Sequence, residues 1–361
     1  MDFGIFNLMN RRDRSQTVAS LISNTVEQVQ AAETAGFNIA WFTEHHFSNY
    51  SLPPSPLLMI GHVAPQTLRI KLGTSVILPA LYQPPRLLGE LAFADNLSEG
   101  RLIIGLGSGY QAHELLRFGT SLEESREATD EWVKFISEGL GQESFEFHGK
   151  YLDMPKTPFA APPIQKPRPP IWIAGNSQNS QLRAARGTFP IFVSGFGESN
   201  ETLLRIREEA EETWLSEGLR ASDIEFCTLR YCMVTDDKNE AKSFAENALY
   251  QIRLSRYLRR GQEDIPDAWL PEEPFSGEMT PEEIMSWNPI GDPAAVAECL
   301  SDEIKRVGTC HIALYMTMGN TDHEVAMKSI RRFGDEVIPL IEKEVGPLAG
   351  VNVSKPMRAA E

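Results

Sequence analysis

Glu44, His45 and His46 stand side by side in the stretch AWFTEHHFSNY, residues 40–50, directly behind a short apolar run. A carboxylate beside two imidazoles can bind a metal, move protons near neutrality, or simply be satisfied in a core. Imidazole and carboxylate suit zinc or iron, but adjacent residues at a strand end point apart, so at most two could share an ion. No H-E-x-x-H helix completes a shell, and the other nearby pair is His113 with Glu114 in QAHE, so no metal site is expected. His46 is expected to be hydrogen-bonded in the core.

Three further clusters carry small or polar groups: Thr74 and Ser75, the run Gly107, Ser108, Gly109 and Tyr110, and the run from Gly175 to Ser180. GLGSGY fails the dinucleotide fingerprint because Tyr110 takes the place of the third glycine. Its glycines can instead form a tight turn, or strip side chains so that a flat ring or a phosphate approaches the backbone. In AGNSQNSQLRAARG, Asn176, Ser177, Asn179 and Ser180 precede or open a helix whose free N–H groups and positive dipole end suit a phosphate. An ordinary helix cap would use the same residues.

The elements that must position these groups alternate. Apolar runs opening at MDFGIFNL, FNIAWFTE, RIKLGTSVIL, RLIIGLGSGY, PIWIAG, FPIFVS, EFCTLRYCMVT and CHIALYMT read as strands, each followed by a helical pattern. The helix after the seventh strand is expected from Lys238 to about Tyr257. Alternating units imply a parallel sheet with right-handed crossovers, and eight of them predict an α/β fold, a (β/α)8 TIM barrel forming a single domain over 1–361. The clusters then gather at the C-terminal mouth of the barrel. Two segments break the rhythm and are expected as insertions after strands 4 and 7. Residues 141–169 are Pro-rich and aromatic and suggest a hairpin; 260–288 are acidic, hold Trp269, Phe275 and Trp287, and suggest a lid.

Acidic residues outnumber basic ones, 50 to 34, for a formal charge of −16, which disfavours nucleic acid and anionic membranes as partners. The N-terminus has no signal-peptide pattern and no run is long enough to span a bilayer, so a cytoplasmic location is expected. The four cysteines, Cys227, Cys232, Cys299 and Cys310, show no C-x-x-C spacing and suggest neither a structural zinc nor a disulfide framework.

Taken together, AETAGFNIAWFTEHHF, LGTSVILPA, SEGRLIIGLGSGY, PPIWIAGNSQNS and GDPAAVAECL resemble the bacterial luciferase-like flavin-dependent monooxygenases, in that order and spacing and over nearly the whole chain. The resemblance implies a barrel that takes reduced FMN from a separate flavin reductase. The flavin reacts with O2 to a hydroperoxide and inserts one oxygen atom into a small, partly hydrophobic organic substrate. It further implies that Glu44 is the acid near the flavin and His45 the imidazole that assists proton transfer. Ser75 and Val76 fall where the family often has a non-proline cis peptide beneath the ring. Gly107 and Ser108 replace a cysteine and an arginine of the light-emitting enzymes, leaving Tyr110, Gly175, Asn176, Ser177 and Ser180 as ring and phosphate contacts. The acidic insertion corresponds to the family's mobile loop. Trp41, Phe42 and Phe47 are expected to keep the acid–imidazole pair dry. Leu57, Leu58, Met59 and Ile60 with Leu87, Leu88 and Leu91 fall on a surface that is a homodimer interface in the family. Competing readings are a deazaflavin-dependent oxidoreductase of the same fold, a non-catalytic flavin-binding barrel, and a metal-dependent barrel hydrolase.

Overall fold

The computed structural model describes residues 1–260, 265 and 267–350. In chain order the elements are β1 (Asp2–Asn7), α1 (Val18–Thr34), β2 (Ile39–Phe42), α2 (Pro56–Val63), β3 (Lys71–Thr74), α3 (Pro84–Leu97), β4 (Leu102–Leu106), α4 (Ala112–Arg117) and α5 (Leu122–Gly139). A hairpin of β5 (Ser144–His148) and β6 (Asp153–Pro158) precedes β7 (Ile171–Ala174), α6 (Gln178–Gly187), β8 (Ile191–Ser194), α7 (Asn200–Ser216), β9 (Phe226–Tyr231) and β10 (Met233–Val234). The chain continues through α8 (Lys238–Arg259), α9 (Pro281–Trp287), β11 (Ile290–Gly291), α10 (Pro293–Val307), β12 (His311–Tyr315), α11 (His323–Arg332) and α12 (Ile338–Val345).

β1, β2, β3, β4, β7, β8, β9 and β12 close into a parallel barrel, with β12 returning to β1. The alternation of each strand sorts its side chains into two cores. Phe3, Ile5, Phe42, Ile104, Ile173 and Val193 pack outward against the helices. Phe6, Trp41, Ile103, Phe192, Tyr231 and Tyr315 belong to a second cluster that fills the lumen. Trp41 packs against Trp172 and Phe192, each with ring centroids 4.9 Å away, and donates Nε1–H to His311 Nε2 at 2.9 Å. This layer is a packed plug. A Cβ on Gly73 would lie 2.3 Å from the Trp41 ring, so glycine there makes room for the indole.

Local signals fix the helices. Thr17 caps α1 by accepting from the N–H of Ser20, Ser121 and Glu124 form a reciprocal capping box on α5, and Asp292 with Pro293 starts α10.

Two insertions depart from the regular units. The hairpin β5–β6 lies within the expected first insertion. The second is larger than the sequence pattern suggests, because the helix from Lys238 does not complete the seventh unit. α10 packs against α7 and α12 and does that work, while α8 lies over the barrel mouth. The reason is its apolar stripe: Phe244, Ala248, Leu249, Leu254 and Leu258 join the same cluster as Phe6, Tyr231 and Tyr315. Of the expected lid, residues 261–264 and 266 lie outside the described residues. The remainder is fastened down. Asn49 accepts from Leu270 N–H at 2.9 Å and donates its own N–H to Ala268 O at 2.7 Å; Arg12 holds Glu272 in a two-pronged pair at 2.8 and 2.9 Å. Trp269 lies beneath the guanidinium groups of Arg11 and Arg14, 5.0 and 4.7 Å from its ring centre.

Candidate active site

The upper layer of the barrel is lopsided. The ends of β9, β12 and β1 carry Tyr231, Tyr315 and Phe6, whereas at and just beyond the ends of β3, β4, β7 and β8 the small residues Ser75, Gly105 and Gly107, Ala174 and Ser194 share the inward parity of their strands. One half of the mouth is walled by large rings and the other is stripped nearly to backbone. The stripping is enforced by packing, since a Cβ on Gly107 would lie 2.7 Å from Val76 Cγ2, and one on Gly105 2.1 Å from Thr74 O. The peptide between Ser75 and Val76 is cis, at the position the resemblance named. Ser75 N–H continues the ladder to Phe42 O at 2.7 Å.

His45 stands at the edge of this floor, beyond the end of β2. Its ring meets Tyr50 and Tyr110 edge-on at 4.9 and 5.8 Å, and Tyr110 Oη donates to Tyr50 Oη at 2.9 Å. Its Nδ1 lies 3.1 Å from Glu114 Oε1 and 3.0 Å from Gln111 Nε2, both at the start of α4. One ring nitrogen cannot satisfy both at once. With a proton it donates to Glu114; without one it accepts from Gln111. Glu114 also accepts the N–H of His46 at 2.6 Å. Burial works to raise its carboxyl, but the His45 charge and these hydrogen bonds outweigh burial and hold it below the usual carboxylate range. An ionised Glu114 therefore favours the Nδ1–H tautomer of His45 and leaves Nε2 unprotonated. Nε2 has no partner among the described residues.

Glu44 behaves differently. Its Oε2 accepts from Leu78 N–H at 3.1 Å and its Oε1 meets His46 Nε2 at 3.2 Å, so the carboxylate is committed to the segment after the cis peptide and to the second imidazole. Burial pushes its carboxyl above the ordinary range, against the pull of His46 and Leu78 N–H. Glu44 and His46 face a groove of about 890 Å³ along α2 and α3, not His45. His46 is the core histidine the sequence suggested. The aromatic shield differs from expectation: Trp41 belongs to the lumen plug, Phe42 faces the outer core, and Phe47 is 51% exposed. Tyr50 and Tyr110 surround His45 instead.

At the far side of the small-residue floor, α6 begins. Ser177 and Ser180 form a capping box, with Ser180 Oγ accepting from Ser177 N–H at 3.0 Å and donating to Ser177 O at 2.7 Å. Asn176 bridges two strand ends, donating to Ser194 O at 3.1 Å and accepting from Ser194 N–H at 2.9 Å. The side chains of Asn176, Ser177 and Ser180 thus build the helix end. What they leave for an anion is the backbone of the first turn and the positive pole of the helix. Gly175 is needed for closeness: a Cβ there would lie 1.9 Å from Ile191 Cγ2. Ser108, half-buried, accepts from Ser125 Oγ through its carbonyl at 2.7 Å, tying the glycine-rich exit to α5.

The family model described as luciferase-like monooxygenase matches residues 1–309. The chain belongs to the luciferase-like monooxygenase family. Among curated relatives, this luciferase-like protein is 38% identical over 347 residues to the uncharacterised protein y4vJ of Sinorhizobium fredii, covering 96% of this chain and 99% of that one. It is 28% identical over 352 residues to the oxygenase component of flavin-dependent trigonelline monooxygenase from Acinetobacter baylyi, covering 94% and 95%. Among solved structures, the FMN complex of the oxygenating constituent of 3,6-diketocamphane monooxygenase from Pseudomonas putida superposes with a TM-score of 0.76 at 19% identity, covering 94% and 98%. An F420-dependent secondary alcohol dehydrogenase gives 0.73 at 19%, with the same coverage.

Sequence reasoning missed Gln111 and the use of Glu114 as the partner of His45. The signal is QAHE itself, whose His113 and Glu114 read in sequence as a metal-binding pair. Among the described residues no group of three His, Cys, Asp or Glu could hold a metal ion. His113 is buried, its Nδ1 has no partner among the described residues, and burial lowers its affinity for a proton. All four cysteines are free, with Cys227 Sγ 3.5 Å from Cys310 Sγ. No described helix is long and apolar enough to cross a membrane.

Proposed function

We propose that this luciferase-like protein is the cytoplasmic oxygenase component of a two-component monooxygenase, taking reduced FMN from a separate reductase and inserting one atom of dioxygen into an organic substrate. The observation that carries the reading is the lopsided mouth with His45 Nδ1 held by an ionised Glu114. A flat three-ring system fits the stripped half, where Ser75, Gly107 and Ala174 leave backbone exposed, and a phosphate fits the first turn of α6 beside Gly175. When bound, reduced FMN supplies the electrons that activate dioxygen.

The chain's own residues do the rest. Glu114 fixes the tautomer, so His45 Nε2 accepts a proton when neutral and returns it when charged. Gln111 receives the other tautomer, which lets the ring pass a proton without turning. Tyr110 and Tyr50 wall the imidazole, and burial keeps the Tyr110 phenol protonated. The lid and α8 limit the entry of water. Glu44 acts as a positioning residue, holding Leu78 behind the Ser75–Val76 segment. The relative whose name includes "oxygenase component" supports the need for a reductase.

The test supplies reduced FMN and oxygen together and singly. Turnover that needs both supports the proposal, and anaerobic hydride exchange with the deazaflavin coenzyme would replace it with the second reading, which the F420-dependent structural neighbour keeps in view. Tight FMN binding without oxygen consumption on reduction would favour a non-catalytic barrel.

A homodimer through the α2–α3 face belongs to the same proposal. Of the residues first named for it, Ile60, Leu87, Leu88 and Leu91 are buried in this chain's core, and the exposed apolar groups are Leu58, Phe93, Leu97 and Phe118. They line the groove of about 890 Å³. Light scattering that gives a monomer would remove the dimer.

A further inference from the structure

The aromatic half of the mouth contains a ring that belongs to no strand. Phe196, on the loop after β8, lies against three walls at once. Its ring stacks on Tyr231 at 4.5 Å and 11°, and stands 5.8 Å from both Phe6 and Tyr315. It is flanked by Gly195 and Gly197, and Gly197 has φ +69°, a conformation that other residues rarely hold. A Cβ on Gly197 would lie 3.2 Å from Met279 Sδ and 3.6 Å from Ile252 Cδ1, so the loop sits directly beneath the insertion that covers the mouth.

A second observation concerns the wall. Tyr315 is 1% exposed, and its hydroxyl has no hydrogen-bond partner among the described residues. Buried hydroxyls are nearly always paired, and an unpaired one is retained at a cost. Burial pushes the phenols of Tyr231 and Tyr315 well up, so both remain neutral donors. Nothing in the proton-transfer geometry around His45 uses Tyr315.

We infer that the box formed by Phe6, Tyr231 and Tyr315 is the ring subsite for the organic substrate, that Phe196 stands where that ring goes and withdraws on its glycine-flanked loop, and that the substrate is a planar aromatic bearing an oxygen acceptor for Tyr315 Oη. The inference rests on the proposed function for its assignment to substrate. The geometry of a stacked pair at 4.5 Å is what a bound arene would reproduce on Tyr231. A straight alkyl chain would gain no comparable face, and a ring without an acceptor would leave the Tyr315 hydroxyl unpaired.

Three ligands of equal carbon count separate these elements: acetophenone, ethylbenzene and 2-octanone, titrated against the full-length protein by calorimetry. Acetophenone is expected to bind about tenfold tighter than either of the others. Tyr315→Phe removes its advantage over ethylbenzene without lowering the melting temperature, because only an unpaired hydroxyl is lost. Phe196→Ala tightens acetophenone about tenfold and leaves 2-octanone unchanged. Three results would overturn the inference: 2-octanone matching acetophenone, Tyr315→Phe weakening ethylbenzene as much as acetophenone, or Phe196→Ala weakening acetophenone. FMN is titrated separately on the same preparations. Failure of FMN to bind with the ligand pattern intact would sink the flavin reading and leave the ring subsite standing.

Discussion

Glu114→Gln isolates the electrostatic part of the His45 arrangement. The new Oε1 still accepts the His46 N–H, which Glu114 takes at 2.6 Å, so the loop and the start of α4 keep their connection. That same oxygen lies 3.1 Å from His45 Nδ1 but no longer carries charge, and the other arm becomes an NH₂ where a carboxylate oxygen stood 3.5 Å from Nδ1. A neutral oxygen no longer outweighs the NH₂ of Gln111 at 3.0 Å, so Nδ1 accepts and the proton moves to Nε2, the atom proposed to work. Both side chains are well covered, at 13% and 1% exposure, so solvent weakens the lost interaction little. A hydrogen bond to a charged group contributes about 1.5–3 kcal/mol, which converts to a rate loss of roughly 10- to 150-fold if proton transfer limits turnover. The assay is single-turnover oxygen consumption with reduced FMN, alongside the FMN dissociation constant and the 15N shifts of the His45 ring. The expected pattern is slow turnover, FMN affinity within about twofold of wild type, and a hydrogen moved to Nε2. Turnover at the wild-type rate despite a switched tautomer would refute the reasoning, as would an affinity loss equal to the rate loss.

Other substitutions probe the floor, the lid and the second acid. Gly107→Ala places a methyl 2.7 Å from Val76 Cγ2, so it should cost about 1–3 kcal/mol of stability and weaken FMN binding by about tenfold or more, both read by denaturation and fluorescence titration. Asn49→Ala removes bonds to Arg11 O, Tyr250 Oη and Leu270 N–H at 3.0, 2.9 and 2.9 Å. Loosening by about 2 kcal/mol should speed hydrogen exchange at the Leu270 amide by roughly 30-fold, and unchanged protection would show that the lid does not depend on Asn49. Glu44 has its carboxyl raised by burial above the ordinary value of 4.5, so its contribution to stability is present below that value and lost as pH rises through the folded pKa. The stability of Glu44→Gln relative to wild type should therefore rise as pH increases from about 5 to about 8, measured by urea unfolding. A difference that falls over this range would contradict the assigned burial effect. Glu114 has the opposite sign: its contribution is present above the unfolded pKa and is lost in acid, as pH falls through its depressed folded value.

The barrel was legible because its strands are buried on both faces and therefore read as apolar runs, while the glycine and polar clusters mark where they end. The place of His45 just beyond a strand end was legible for the same reason. Glu44 was harder, because a strand-end pair of neighbours says nothing about which one faces the lumen until the pleat is known. α8 was assigned to the wall because its apolar spacing is that of any wall helix; only the aromatic ends of β1, β9 and β12 explain why it lies on top. The side chains at Asn176 and Ser177 fit both an anion site and an ordinary cap, and the structure uses them as the cap and as a clamp on Ser194. Long-range partners such as Gln111 with His45 leave no periodic trace, so spacing alone could not pair them.

A crystal structure of the protein soaked with FMN would locate the cofactor outright. The flat ring is expected over Ser75, Gly107 and Ala174 with an edge near His45, and the phosphate at the first turn of α6 beside Gly175. A ligand seated in the groove along α2 and α3, or with its phosphate away from α6, would contradict this placement.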